Sequence, residues 1–273
     1  VATEAAPVPV RPRPILKWAG GKQALSARLL PSFPLHFDRY FEPFLGGASV
    51  FLALRPARAV LCDRNVWLIE TYRAVRDHAG EVARELGSLR NTREEFLRLR
   101  ALDPAALDPP RRAAHLIYLN KTCFRGLFRV NRAGRFNVPY GAYDRRYFDR
   151  ANLEAFAEAL RGVELRAGDF EAGLAGIAAG DFAYLDPPYH RLGGYSDFNR
   201  YTEEPFGEGD HARLAAGCRE LDRRGVRWAL TQSDTALVRR LFAGFRVQEI
   251  GARREINLSA GRRDVVELLV TNG

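Results

Sequence analysis

The sequence predicts an α/β fold: a Rossmann-like sheet with helices on both faces, interrupted by an inserted segment of helices and a β-hairpin. Three observations predict it. Short β-like runs end in polar or acidic residues and are separated by helical stretches, as in parallel strands joined by crossover helices. A chain of 273 residues, 47% of them hydrophobic, is long enough to bury such a core. Between about residues 65 and 148 the alternation stops, and a long helical pattern gives way to an arginine-loaded hairpin.

Taken in order, residues 1–14 (VATEAAPVPVRPRP) lack the basic start and continuous apolar run of a secretion signal and are expected to form a disordered tail. In LKWAGGKQAL, residues 16–25, Gly-Gly-Lys opens a helix. A phosphate loop would need Gly at Leu16 and Ser or Thr at Gln23, so that motif is excluded. The stretch reads as a helix-entry turn with a surface lysine, or as a pocket wall in which Trp18 packs and Lys22 meets an anionic ligand group. FEPFLGGASVFLAL reads as strand, glycine turn and helix, a junction where backbone approaches a ligand at a helix N-terminus. The next run, AVLCD, closes on Asp63, which can accept from both hydroxyls of a ribose or, more plainly, cap the helix that follows.

The insert begins with apolar residues three and four apart at Leu68, Tyr72 and Val75, and a capping box Thr92-x-x-Glu95 precedes Phe96 and Leu99. In KTCFRGLFRVNRAGRFNVPYGAY, two aromatic-bearing runs flank the turn Asn131-Arg132-Ala133-Gly134. Strands resume with VELRAGDF, DFAYLDPPY, VRWALTQSD and DVVELLVTN. Asp63, Asp169, Asp186 and Asp234 therefore sit at or just past carboxyl strand ends, where ligands of such sheets collect.

Asp186-Pro187-Pro188-Tyr189 is the most informative of these ends. Prolines cannot continue a ladder, so the carbonyls of Asp186 and Pro187 are expected as outward acceptors beside the carboxylate. Together they can receive both hydrogens of an exocyclic amine, and Tyr189 supplies a face against which a base stacks.

The formal net charge of +9 accords with a nucleic-acid partner, although charge runs on helices also serve as solvated faces. Lys17, Lys22 and Lys121 are the only lysines. The three cysteines are widely spaced and the five histidines form no ligand pair, so no protein-bound metal is expected. A reducing, cytoplasmic location follows from the same cysteine usage. No apolar run is long enough for a membrane span.

With these motifs assembled, the chain resembles the Dam-type DNA adenine-N6 methyltransferases of the D12 class. LKWAGGK, EPFLGG, CDRN, FNVPYG, YLDPPY and INLSAGRRDVVELL stand in the family's order from Ile15 onward. The resemblance implies S-adenosylmethionine as cofactor, double-stranded DNA as substrate, a monomer in solution and a place at the nucleoid. It implies a catalytic domain of residues 15–64 and 149–273 around a target-recognition domain of 65–148. Position by position, it assigns Trp18, Lys22, Phe44, Gly46, Asp63, Asp169, Phe170 and Asp186 to the cofactor. Asp186, Pro187, Pro188 and Tyr189 fall to the target base. Lys17, Phe124 as a wedge in the base stack, Arg125, Leu127, Arg129 as a guanine reader and Pro139 fall to DNA. Two positions depart from the family: Ala48 stands where a second glycine is common, and Arg125 replaces a small polar residue.

The activity implied is direct methyl transfer to an extruded adenine, in GATC or a related site, with the glycine- and aromatic-rich stretch 190–213 closing over the base through Tyr201 or Phe206. Two alternatives stay open: N4-cytosine methylation, which uses the same pocket logic, and a catalytically silent DNA-binding relative.

Overall fold

The computed structural model describes residues 10–131, 134–190, 206–253 and 264–273. Residues 1–9 of the expected tail, Arg132 and Ala133 of the hairpin turn, Tyr201, and residues 256–263 of the last motif lie outside the described residues. In chain order the elements are α1 (Ser26–Leu29), β1 (Tyr40–Glu42), α2 (Ser49–Leu54), β2 (Ala59–Asp63), α3 (Val66–Ser88), α4 (Arg93–Ala101) and α5 (Pro109–Thr122). After the hairpin come α6 (Arg150–Ala159), β3 (Glu164–Ala167), α7 (Phe170–Gly173), β4 (Phe182–Leu185), α8 (Glu208–Arg223), β5 (Arg227–Ser233), α9 (Ala236–Leu241), β6 (Arg246–Arg253) and β7 (Asp264–Thr271).

The described strands form a seven-stranded sheet in the order β3-β2-β1-β4-β5-β7-β6. The first five are parallel, while β7 pairs antiparallel with both β5 and β6. The parallel sheet expected from the alternation is thus present in β1–β5, with an antiparallel pair added at one side. Buried on both faces, β1 and β4 are apolar throughout except for Glu42, the pattern of strands covered by helices. Leu185 stands in register with Leu230, and Ser233 with Glu267, so the carboxyl ends of β4 and β5 share an edge with the first half of β7.

The segment between β2 and β3 is not separated from the sheet by a gap in the core. α3 buries Leu68, Ile69, Tyr72, Val75, Val82 and Leu86, and one continuous apolar cluster joins it to α5, α6 and β2. Thr92 caps α4 as expected, its Oγ1 accepting from Glu95 N at 3.2 Å. The reciprocal half of the capping box is not made, because the Glu95 carboxylate is taken by Arg98. The hairpin has two isolated bridges, Cys123 with Tyr140 and Val130 with Phe136, rather than regular strands.

The tail ends earlier than the composition indicates. Pro12 is buried, Arg13 N donates to Asn152 Oδ1 at 2.8 Å, and Asn152 Nδ2 donates back to Arg13 O at 3.1 Å. A side-chain amide that satisfies both backbone groups of one residue fixes that residue against α6. The stretch expected as a loop through Arg213 is likewise shorter, since α8 begins at Glu208 with Gly207 N donating to Asp210 Oδ2. No described helix is long and apolar enough to cross a membrane.

Candidate active site

The site is built at the carboxyl edge of β1, β2, β4 and β5. At the end of β4, prolines stop the ladder and Asp186 is left half-buried. Its Oδ1 receives two donors: the Lys22 ammonium at 2.9 Å and the Thr231 hydroxyl, from β5, at 2.7 Å. Tyr184 Oη lies 2.9 Å from Thr231 Oγ1, extending the chain into the core. Among the described residues no donor reaches Asp186 Oδ2 or the Pro187 carbonyl, which leaves both as acceptors for a guest. Burial raises the Asp186 carboxyl above the ordinary range, and Lys22 and Thr231 oppose that rise.

Lys22 is only 4% exposed. Its ammonium also donates to Gly20 O at 2.8 Å and lies 4.7 Å from the centroid of the Tyr189 ring. The lysine expected to meet a ligand anion is instead committed to Asp186 and Tyr189. Tyr189 is half-buried with its hydroxyl donating to Glu267 Oε2 at 2.7 Å. Gln232 and Ser233 brace the turn from β5: Gln232 Oε1 accepts from His190 N, and Ser233 Oγ donates to His190 O.

Next to this edge lies the glycine turn. Asp63 Oδ2 accepts from Gly46 N at 2.9 Å and Oδ1 accepts from Asn65 N at 2.8 Å, so this acid ties two turns together. Asn65, not Asp63, caps α3. Burial raises Asp63, and the two N–H bonds oppose the rise. Gly46 has φ +47°, and a Cβ there would lie 2.8 Å from the Trp18 ring. The glycine is therefore required by the indole, which in turn stacks on Phe128 of the hairpin at 5.3 Å. Ala48 occupies the left-handed region (φ 59°) where a glycine would be unstrained.

Phe44 and Phe170 stack at 5.7 Å and 24°, with Phe206 edge-on to both. Phe206, expected over the target base, is thus part of this second cluster. Asp169 pairs with Arg213 through Oδ2 at 2.7 Å, while its buried Oδ1 has no hydrogen-bond partner.

Of the remaining expected residues, Phe124 is 44% exposed and its N–H donates to Pro139 O. Arg125 has φ 58°, donates its N–H to Tyr143 Oη and lies over the Phe124 ring. Lys17 is exposed and its side chain packs on Gly126, whereas Leu127 is half-buried against the core. Arg129 is held by Asn137, Nε to Oδ1 at 2.7 Å and Nη2 to the backbone O at 3.2 Å. Among the described residues, that leaves Nη1 and a second Nη2 hydrogen as an open fork.

Sequence reasoning passed over Glu42, Thr231, Glu267 and Asn137. Glu42, closing β1, is 2% exposed, accepts from Tyr40 Oη at 2.9 Å, and is raised by burial to about 8. Its signal was present: an acid at a carboxyl strand end, in FEPF, like those that were noted.

Residues 18–256 match the family model described as D12 class N6 adenine-specific DNA methyltransferase. The chain is 35% identical over 270 residues to the type II methyltransferase M1.LlaDCHI of Lactococcus lactis subsp. cremoris, covering 95% of each. It is 34% identical to the type II methyltransferase M.MjaIII of Methanocaldococcus jannaschii, covering 95% of this chain and 99% of that one. The DNA adenine methylase of Escherichia coli K12 is 33% identical, with 94% of each chain covered.

Proposed function

Since the chain belongs to the D12 class of N6 adenine-specific DNA methyltransferases, we propose that it methylates an adenine swung out of duplex DNA into the pocket at the Asp186–Tyr189 turn, in GATC or a closely related site. The observation that carries this reading is the Asp186 carboxylate, with Oδ1 fixed by Lys22 and Thr231 and Oδ2 left without a donor among the described residues. The family uses S-adenosylmethionine, and the residues present fit it. The orphaned Asp169 Oδ1 beside the Phe44 and Phe170 rings suits an aminopurine, and each Asp63 oxygen keeps a second lone pair for a ribose hydroxyl.

When bound, that cofactor supplies an electrophilic sulfonium methyl group. The protein's part is positioning. An adenine N6 lone pair is delocalised into the ring and is a poor nucleophile. Asp186 Oδ2 and the Pro187 carbonyl accept its two hydrogens, favouring a pyramidal nitrogen whose lone pair points at the methyl carbon. With the cofactor bound, N6 would accept the methyl group as the sulfonium C–S bond broke, and Asp186, directly or through a water, would take the proton that leaves N6. Tyr189 stacks on the base, while Lys22 keeps Asp186 ionised and oriented.

Recognition is assigned to the hairpin and residues 65–148 as a whole. The open fork of Arg129 suits guanine O6 and N7, a contact worth about 1–3 kcal/mol of discrimination. Phe124, exposed beside Lys17, Arg125 and Pro139, fills the place vacated by the adenine. The test is to incubate the protein with plasmid and labelled cofactor and map modified bases by single-molecule sequencing. N6-methyladenine in one short context is expected. Asp186→Ala should abolish the signal and Arg129→Ala should spread it to other contexts; undiminished methylation by Asp186→Ala refutes the catalytic scheme.

A further inference from the structure

Tyr189 is assigned above to the face of the extruded base, a role a phenylalanine ring could also fill. Its hydroxyl, however, donates to Glu267 Oε2 at 2.7 Å, and Glu267 is only 8% exposed. Burying a carboxylate in an acid-rich edge is unfavourable unless a donor is fixed there. Topology explains how the acid arrives. β7 runs antiparallel to β5, so its first half, not its last, reaches the edge where β4 and β5 end, and Glu267 stands opposite Ser233. Ser233 and its neighbour Gln232 already brace His190, the residue after Tyr189.

We propose that Glu267 is a positioning residue for methyl transfer. By fixing the Tyr189 hydroxyl it sets the tilt of the ring on which the target base stacks, and so the approach of N6 to Asp186. The ring is then held at two places, the hydroxyl by Glu267 and the face by the Lys22 ammonium 4.7 Å from its centroid. Rotation about the Tyr189 Cα–Cβ bond would carry the ring and a stacked base away from Oδ2, and the bond to Glu267 at the far end of the ring opposes that displacement. The inference rests on the reading of Tyr189 as the base platform.

The experiment compares Tyr189→Phe, Glu267→Leu, Glu267→Gln, the Phe/Leu double variant and Tyr189→Ala. Probes are a duplex with 2-aminopurine at an adenine the parent methylates, for extrusion, and the unlabelled duplex, for kcat, KM and cofactor affinity. Tyr189→Phe and Glu267→Leu should each lower kcat by roughly tenfold to a hundredfold, the worth of a hydrogen bond to a charged acceptor, with cofactor affinity unchanged. The double variant should be no slower than the worse single one, because both remove one bond. Glu267→Gln, which keeps an acceptor, should restore most of the lost rate. Parental kcat in Tyr189→Phe, or additive losses in the double variant, would overturn the role of Glu267. If Glu267→Leu does not fold, Tyr189→Phe, which removes a single oxygen, decides the matter. Tyr189→Ala separates the two readings: parental 2-aminopurine fluorescence and kcat there would remove the platform itself, whereas a dead Tyr189→Ala beside a fully active Tyr189→Phe would remove only the anchor.

Discussion

Replacing Lys22 by methionine tests the ion pair at the centre of the site. Methionine retains much of the volume of a side chain that is 4% exposed, and removes only the charge. At the 2.9 Å between Nζ and Asp186 Oδ1, two unit charges attract by roughly 6 kcal/mol at an effective dielectric of about 20. Most of that is offset by removing the ammonium from water. A quarter of it, about 1.4 kcal/mol, already corresponds to one pKa unit on the aspartate. The direction is fixed: burial has raised Asp186, Lys22 holds the rise in check, and losing Lys22 raises it further. Because Asp186 must be ionised to accept an N6 hydrogen at Oδ2 and to take the departing proton, activity lies above its pKa. The acid limb of kcat in Lys22→Met should therefore move to higher pH than the parent's by at least about one unit. Thr231→Val, which deletes a neutral donor, should shift the same limb by less. The assay is the initial rate of labelled methyl transfer to plasmid, with both substrates saturating, across the pH range. An unmoved limb, or one displaced to lower pH, would show that Lys22 does not set the charge of Asp186.

Two further predictions concern the neighbouring turns. Glu42 has a folded value of about 8 against an ordinary 4.5, so the folded protein keeps a proton that the unfolded chain loses. That contribution is complete below the lower value and is lost as pH rises to the upper one. Glu42→Gln, which cannot ionise, should match the parent in acid and exceed it by up to about 4 kcal/mol in mild alkali, read from urea unfolding at several pH values. Ala48→Gly relieves a left-handed alanine worth about 1–2 kcal/mol but loses about 0.8 kcal/mol of methyl burial and about 0.4–1 kcal/mol through unfolded-chain entropy. The terms nearly cancel, so unfolding free energy should change by less than about 1 kcal/mol; a larger loss would mean that the Ala48 methyl packs better than its full burial implies.

What could be read in the sequence was what local chemistry encodes. β2, β4 and β5 are apolar runs closed by acids or a polar pair, and the prolines after Asp186 mark a strand end without reference to any neighbour. β6 was not legible: Arg246, Val247, Gln248 and Glu249 are all exposed at the sheet edge, so no buried alternation marks the strand. Nor does DVVELLVTN encode its own direction, which depends on the chain having turned back through β6. The pairing of Lys22 with Asp186 joins residues from opposite halves of the chain, and only the closed sheet brings them within 2.9 Å. Arg13 looked like tail because its anchor, Asn152, belongs to the first turn of α6. The residue types at the site could be named in advance; their partners, such as Lys22, Thr231 and Glu267, could not, because each is brought from a distant part of the chain by the closed sheet.

The distribution of charge bears on the proposed extrusion of a base from its helix. The chain carries a net +9, yet the edge formed by β1, β2, β4 and β7 gathers Glu42, Asp63, Asp186 and Glu267, with Lys22 as the cation set among them. Burial is the main cause that raises Glu42, Asp63 and Asp186, with neighbouring carboxylates adding to it at Glu42 and Asp186, so each of these acids gains from a guest that brings hydrogen-bond donors or positive charge. A sulfonium, an ammonium or an exocyclic amine meets that need; a phosphate does the reverse. The hairpin has the opposite character, with Arg125, Arg129 and Arg135 exposed, and in the proposed reading it is the complement of the polyanionic DNA backbone. Trp18 lies between the two regions, stacked on Phe128 of the hairpin and pressed against Gly46 of the acidic edge. A duplex held on the basic side can present only its uncharged part to the acidic side, and an adenine with its amino group foremost is such a part. In the proposed reading, this segregation of charge favours extrusion of the base on electrostatic grounds, separately from the need to free the N6 lone pair, which neighbouring bases cover within the stack.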